Sequence, residues 1–102
     1  MKKVTIMQLD MSKSAEVRYK MFASIRLLRR MGLQIKVNEY QKVWSGEMDV
    51  EDAEDVYRAL QGEKPAGYKG HSLSVSDIVM IDEKVLYCDD YGFVDMAKTK
   101  VA

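Results

Sequence analysis

The 102-residue sequence contains a single cysteine (Cys88), a single histidine (His71) and a single proline. One cysteine excludes an internal disulfide and favours the cytoplasm, because disulfides are typical of small secreted domains. No apolar run approaches the roughly 20 residues that a transmembrane helix needs. Lys2 and Lys3 are not followed by the apolar core of a signal peptide. We therefore expect a cytoplasmic protein with no membrane partner.

The sequence also lacks net charge, but its charges are distributed unevenly along the chain. Residues 1–46 contain ten Lys/Arg and three Asp/Glu, whereas residues 47–102 contain six and thirteen. Either the basic half presents a face to an acidic partner, or the two halves attract each other within one domain. We favour the second explanation, because charges of opposite sign are normally interspersed over a protein surface.

Apolar periodicity predicts the element order β-α-β-α-β-β. The predicted elements are a strand at 3–9, a helix at 15–31, a strand at 34–45, a helix ending at 60 and opened by Asp49 and Asp52, a hairpin at 78–89 and a short strand at 93–96. Gly32 is expected to end the first helix and Gly46 the second strand. This order is typical of an α+β domain with a mostly antiparallel sheet of four to five strands and two helices packed on one face. One domain is expected over residues 1–102, with a polar tail at 97–102.

Polar side chains are concentrated in a loop that runs directly into an apolar strand. His71, Asp77 and three alternating serines lie between Gly67 and the strand that begins at residue 78. Gly67 and Gly70 can adopt positive φ without steric cost, which predicts a shaped loop. The spacing of Ser74 and Asp77 is that of a capping box, so one helical turn is expected before the strand.

The loop contains the side-chain types of a nucleophilic triad, but seven consecutive residues cannot easily form the required chain of hydrogen bonds. We therefore expect the hydroxyls to bond backbone groups and predict no catalytic residues. One histidine and one cysteine do not make a zinc pattern, and the carboxylates at the hairpin ends lack the spacing of a calcium loop. No glycine-rich phosphate loop occurs either. No metal and no cofactor is expected.

Arginines are concentrated in the first predicted helix, at Arg18, Arg26, Arg29 and Arg30. A basic helix face can bind the phosphates of a nucleic acid. However, the pI of about 6.6 is unlike that of a dedicated nucleic-acid-binding domain. A solvated helix face is the interpretation that we favour.

Two segments resemble the signature of a known family, the YodL-like domain. They are 70–79 (Gly-His-Ser-Leu-Ser-Val-Ser-Asp-Ile-Val) and 87–93 (Tyr-Cys-Asp-Asp-Tyr-Gly-Phe). Tyr40, 43–44 (Val-Trp) and 55–57 (Asp-Val-Tyr) match further family positions, so the resemblance covers about residues 3–96. It implies a small protein of Gram-positive bacteria, their phages or their conjugative elements, with no catalytic residues assigned.

The resemblance implies a non-enzymatic protein of a mobile element that inhibits or modulates a host protein complex, such as an anti-defence inhibitor of the anti-CRISPR type acting on a nuclease. One candidate partner-binding surface is acidic: Glu47, Asp49, Glu51, Asp52, Glu54 and Asp55. The other is the motif loop: Tyr68, Lys69, His71, Ser72, Ser74 and Ser76. The alternative is a nucleic-acid-associated factor of conjugation or replication that binds through the helix at 15–31, with Arg18, Arg26, Arg29 and Arg30. The oligomeric state is left open.

Overall fold

A computed structural model describes residues 1–98 as a five-stranded sheet with helices on both faces. The elements are β1 (Lys2–Leu9), α1 (Val17–Lys20), α2 (Ile25–Met31), β2 (Tyr40–Met48), α3 (Ala53–Gln61), β3 (Ile78–Ile81), β4 (Lys84–Asp89) and β5 (Gly92–Asp95). Short 3-10 helices at Val37–Glu39 and Met96–Lys98 precede β2 and follow β5. The predicted polar tail begins within the last of these, and its residues 99–102 lie outside the described residues.

The sheet has the strand order β2-β1-β3-β4-β5, and every neighbouring pair is antiparallel. β1 carries the β-branched residues Val4, Thr5 and Ile6, which favour extended backbone. Two-residue turns connect β3 to β4 and β4 to β5. Asp82 in the first of these turns has a φ of 52°, as tight hairpin turns require. The prediction of an α+β domain with a mostly antiparallel sheet is therefore confirmed.

The single helix predicted at 15–31 is wrong, because the chain breaks it into α1 and α2. Phe22, between them, has a φ of 61°, which no residue of a right-handed helix adopts. The backbone N–H of Phe22 donates to the hydroxyl of Ser76 at 3.0 Å, and Ser76 lies 54 positions further along the chain. Ser24 then starts α2 by accepting a hydrogen bond from the N–H of Leu27. Long-range bonding and a local cap thus override an uninterrupted helical periodicity.

The end of α2 is as the sequence predicts. Gly32 lies in the left-handed region, with φ of 70° and ψ of 25°. Its N–H donates to the Arg29 carbonyl, and the Leu33 N–H donates to the Leu28 carbonyl. These two bonds satisfy carbonyls that a helix end otherwise leaves unpaired.

Two predicted boundaries are wrong. β2 continues through Gly46 to Met48, and an added Cβ at Gly46 would lie 2.7 Å from the Trp44 ring. Glycine is therefore needed there for space beside the indole, and it does not end the strand. The N-cap of α3 is Asp52, whose carboxylate accepts from the N–H of Asp55. The helix therefore begins after Asp52, and the predicted capping pair of Asp49 and Asp52 does not form.

The prediction that both helices pack on one face of the sheet is also wrong. Leu28 of α2 packs in a cluster with Ile78, whereas Leu60 of α3 packs in a cluster with Val79. Successive strand residues point to opposite faces, so α2 and α3 cover opposite faces. The α1/α2 face therefore carries the arginine-rich helices, and the α3 face carries the acidic helix.

A buried ion pair fixes α1 to the turn before β2. The Lys20 ammonium lies 2.5 Å from a carboxylate oxygen of Glu39. The two side chains are only 3% and 7% exposed. The Glu39 carbonyl also accepts a hydrogen bond from the N–H of Asp10, so this turn is held at two points.

Candidate functional site

The motif loop is fastened to the sheet by Gln8 of β1, a residue that the sequence analysis did not single out. Gln8 is 2% exposed. Its side-chain oxygen accepts from the His71 N–H, and its amide nitrogen donates to the His71 carbonyl and to Asp77 Oδ2, at 3.2, 2.9 and 3.0 Å. The signal that could have found it is its position, since Gln8 continues the buried side that Val4 and Ile6 begin.

Ser76 and Asp77, at the end of the motif loop, are buried and hold the fold together. Ser76 and Asp77 are 3% and 1% exposed. Ser76 has a φ of 85°, and its carbonyl accepts from the Tyr40 hydroxyl at 2.5 Å. Asp77 Oδ2 accepts from the Ser74 N–H at 2.9 Å, which is one half of the predicted capping box, but a turn and not a helix follows. The backbone of Cys88 in β4 holds both residues: its carbonyl accepts from the N–H of Ser76, and its N–H donates to the carbonyl of Asp77.

The first half of the motif loop is accessible. Lys69, His71 and Ser72 are exposed, and Tyr68 is half-buried, with its hydroxyl donating to the His71 carbonyl at 2.8 Å. The His71 ring lies 6.0 Å from the exposed ring of Phe22, at an interplanar angle of 53°. The loop therefore presents a small exposed surface over a buried anchor.

Gly67 has the positive φ (84°) that the sequence predicts. Gly70 differs, because the space beside it leaves no room for a side chain. A Cβ at Gly70 would lie 2.1 Å from the side-chain oxygen of Gln8 and 3.0 Å from Val43. We expect Gly70→Ala to lower the free energy of unfolding by about 1–3 kcal/mol, the usual cost of overpacking a buried site. Urea denaturation measures this. Lys69→Ala, at the exposed neighbouring position, is the control.

The control is informative because the Lys69 side chain is exposed, and the backbone N–H of this residue, which donates to the Val43 carbonyl, is kept in an alanine variant. A substitution at such an open site should change stability by no more than about 0.5 kcal/mol. Equal unfolding midpoints for the two variants would contradict the packing role of Gly70.

The six residues of the predicted acidic surface lie around the start of α3. Glu47, Asp49, Glu51, Asp52 and Glu54 are exposed, and Asp55 is half-buried. Asp55 is used locally: its carboxylate accepts from the Glu51 N–H and pairs with Arg58. The first of these contacts, with support from the second, lowers the pKa of Asp55. Glu54 is turned towards the hairpin, with Oε1 3.9 Å from the position of a Cβ at Gly92.

A groove of about 360 Å³ separates α3 from the β4–β5 turn. Its aromatic walls are Tyr57, Tyr91 and Phe93, and the carboxylates of Glu54, Asp89 and Asp90 lie along it. The Tyr91 side chain is 93% exposed at the tip of the turn. The groove was not predicted, because Tyr57 and Tyr91 are distant in sequence and only the packing of α3 beside β5 brings them together.

Three of the four predicted nucleic-acid-binding arginines share one side of α2. Arg26, Arg29 and Arg30 are exposed, and their spacing of three and four residues places them together. Arg18 is separated from them by the helix break, and its guanidinium lies 5.0 Å above the Tyr19 ring. The neighbouring Lys20 is inside the protein, paired with Glu39.

Within residues 1–98, no group of three or more histidine, cysteine, aspartate or glutamate side chains is placed to hold a metal ion. Cys88 is buried, and burial raises the pKa of its thiol to about 11. None of the helices in that part of the chain has the length and apolar content needed to cross a membrane.

These features define a class: small α+β domains in which a five-stranded antiparallel sheet is covered on both faces and a polar loop is fastened to the N-terminal strand, β1. The chain belongs to the YodL-like domain family, whose model matches residues 3–98. The resemblance inferred from the motif residues is thereby confirmed. Searches of curated proteins and of solved structures returned no match.

Proposed function

We propose that this protein acts by binding another protein through its α3 face, and that it thereby inhibits or modulates a host complex in the bacterial cytoplasm. The role that we assign is that of a mobile-element protein, an anti-defence inhibitor of the anti-CRISPR type directed at a nuclease. The observation that carries the binding surface is the separation of acidic and basic helices onto opposite faces of the sheet.

The separation matters because the two charge groups do not neutralise each other. Of the four ion pairs formed within the described part of the chain, one joins residues 1–46 to the remainder. That pair, Lys2 with Asp82, is exposed and has a separation of 3.8 Å. The acidic charges of α3 therefore project a field outwards, which steers a basic partner towards this face. The basic channel of a nuclease is a surface of that kind.

The test is capture of a partner from bacterial lysate, with and without nuclease treatment, with a charge-swapped variant beside the native protein. We expect Glu51→Lys with Glu54→Lys to reduce capture at least about tenfold, because like charges would then face each other across the interface. Asp52 and Asp55 are left unchanged because they support the start of α3. The matched control is Arg26→Ala with Arg29→Ala on the opposite face, which should capture as much partner as the native protein.

A second candidate function is nucleic-acid binding by the α1/α2 face, and the shared side of Arg26, Arg29 and Arg30 favours it. The same experiment separates the two. Material that is lost on nuclease treatment, and on substitution of these arginines, would support the second function and contradict the first. A partner that survives nuclease and depends on Glu51 and Glu54 supports protein binding.

A further inference from the structure

We infer that the groove between α3 and the β4–β5 turn receives an arginine side chain from a basic segment of the bound protein. This inference rests on the proposed function for the existence of a protein partner. It adds the chemistry by which the partner is recognised.

The aromatic walls supply one half of such a site. Tyr91 stands at the tip of a two-residue turn and is 93% exposed, and Tyr57 on α3 is 39% exposed. Phe93 also lines the groove. A guanidinium attracted to the face of an aromatic ring binds best where the rings form a wall and water is partly excluded. A groove of about 360 Å³ has room for one such group and its aliphatic stem.

The carboxylates supply the other half. Asp89 is already engaged, since its Oδ1 accepts from the N–H groups of Ile25 and Asp90. Arg58, the cation in the groove, is paired with Asp55. Across residues 1–98, the carboxylates of Glu54 and Asp90 accept no hydrogen bond, so both remain to bind a ligand. The groove therefore has a surplus of negative charge beside its rings.

Arginine fits this arrangement better than lysine does. Its planar guanidinium can stack on a ring and present paired N–H groups to a carboxylate at the same time, whereas an ammonium is a strongly hydrated point charge. A neutral apolar side chain would bury Glu54 and Asp90 without any partner, which is costly. The combination of rings and carboxylates therefore selects a guanidinium.

The probe is the peptide acetyl-Gly-Arg-Gly-Arg-Gly-amide, titrated into the isotope-labelled protein and followed by NMR, with the lysine analogue as a matched ligand. We expect the amide shifts to change around residues 54–58 and 90–93, and the arginine peptide to bind at least threefold more tightly than the lysine peptide. Tyr91→Ala and Glu54→Gln should each weaken binding at least fivefold. Tyr19→Ala alters a tyrosine 56% exposed on the other side of the molecule and should leave binding unchanged.

Shifts confined to other surfaces, equal binding of the two peptides, or full binding by Tyr91→Ala would overturn the inference. Tyr91 is too exposed for its loss to unfold the protein, so a negative result is interpretable. If the lysate partner depends on Glu51 and Glu54 while the peptide does not enter the groove, the inference fails and the proposed function stands. If the peptide binds and no protein is captured, the proposed function fails and the arginine site stands.

Discussion

Lys20→Met is expected to lower the free energy of unfolding by about 3–5 kcal/mol, because it leaves the buried carboxylate of Glu39 without its partner. That loss is a large part of the roughly 5–15 kcal/mol that stabilises a typical domain. The prediction is specific to burial: the two side chains are 3% and 7% exposed and 2.5 Å apart. Denaturation with urea measures the change.

Two further variants isolate the cause. Replacing both members, with Lys20→Met and Glu39→Leu, removes the uncompensated charge and should recover most of the lost stability, since buried pairs are often no better than apolar packing. Lys36→Met breaks the exposed pair with Glu16 and should cost less than about 1 kcal/mol. If Lys20→Met were as mild as Lys36→Met, the buried pair would not contribute as described.

The stability of the native protein relative to Asp77→Asn is expected to fall as pH rises from about 4 to 6. Burial raises the pKa of Asp77 to about 6, against the weaker opposing effects of the Ser74 N–H, His71 and Gln8. In this window the folded protein binds a proton that the unfolded chain has released, so the unfolding free energy decreases with pH. The rise in the pKa of Asp77 from 3.8 to about 6 corresponds to a total of about 3 kcal/mol of unfolding free energy.

Asparagine is a suitable reference because, within residues 1–98, the two hydrogen bonds that the Asp77 side chain accepts, from Gln8 and the Ser74 N–H, reach one oxygen, Oδ2. An amide can keep that acceptor while its NH₂ replaces the other oxygen. Urea denaturation of both proteins at pH 4, 5, 6 and 7 gives the difference in unfolding free energy. A difference that stays constant, or that grows in favour of the native protein, would contradict a buried carboxyl with a raised pKa.

The sequence predicts those parts of the fold that depend on neighbouring residues. The hairpin of β3 and β4 follows from a short apolar run, a tight polar turn and a second run, and the ending of α2 follows from Gly32 and Leu33. The break at Phe22 does not follow, because the hydroxyl that holds it belongs to Ser76 and arrives only when the chain is folded.

The placement of the helices on both faces does have a signal in the sequence. β3 is apolar at all four positions from Ile78 to Ile81, and strands buried on both faces read in this way. The groove had no comparable signal. Among the tyrosines, Tyr91 is exposed whereas Tyr40 is buried. Whether an aromatic residue of this chain faces the core or the solvent depends on packing between distant elements.

The most direct test of the α3 face as the binding surface is hydrogen–deuterium exchange of the protein with and without its captured partner. Binding at this face predicts slower exchange in peptides from α3 and from the β4–β5 turn, with α2 unchanged. Protection confined to α2, or to the exposed part of the motif loop at 68–72, would contradict the claim that the acidic face binds the partner.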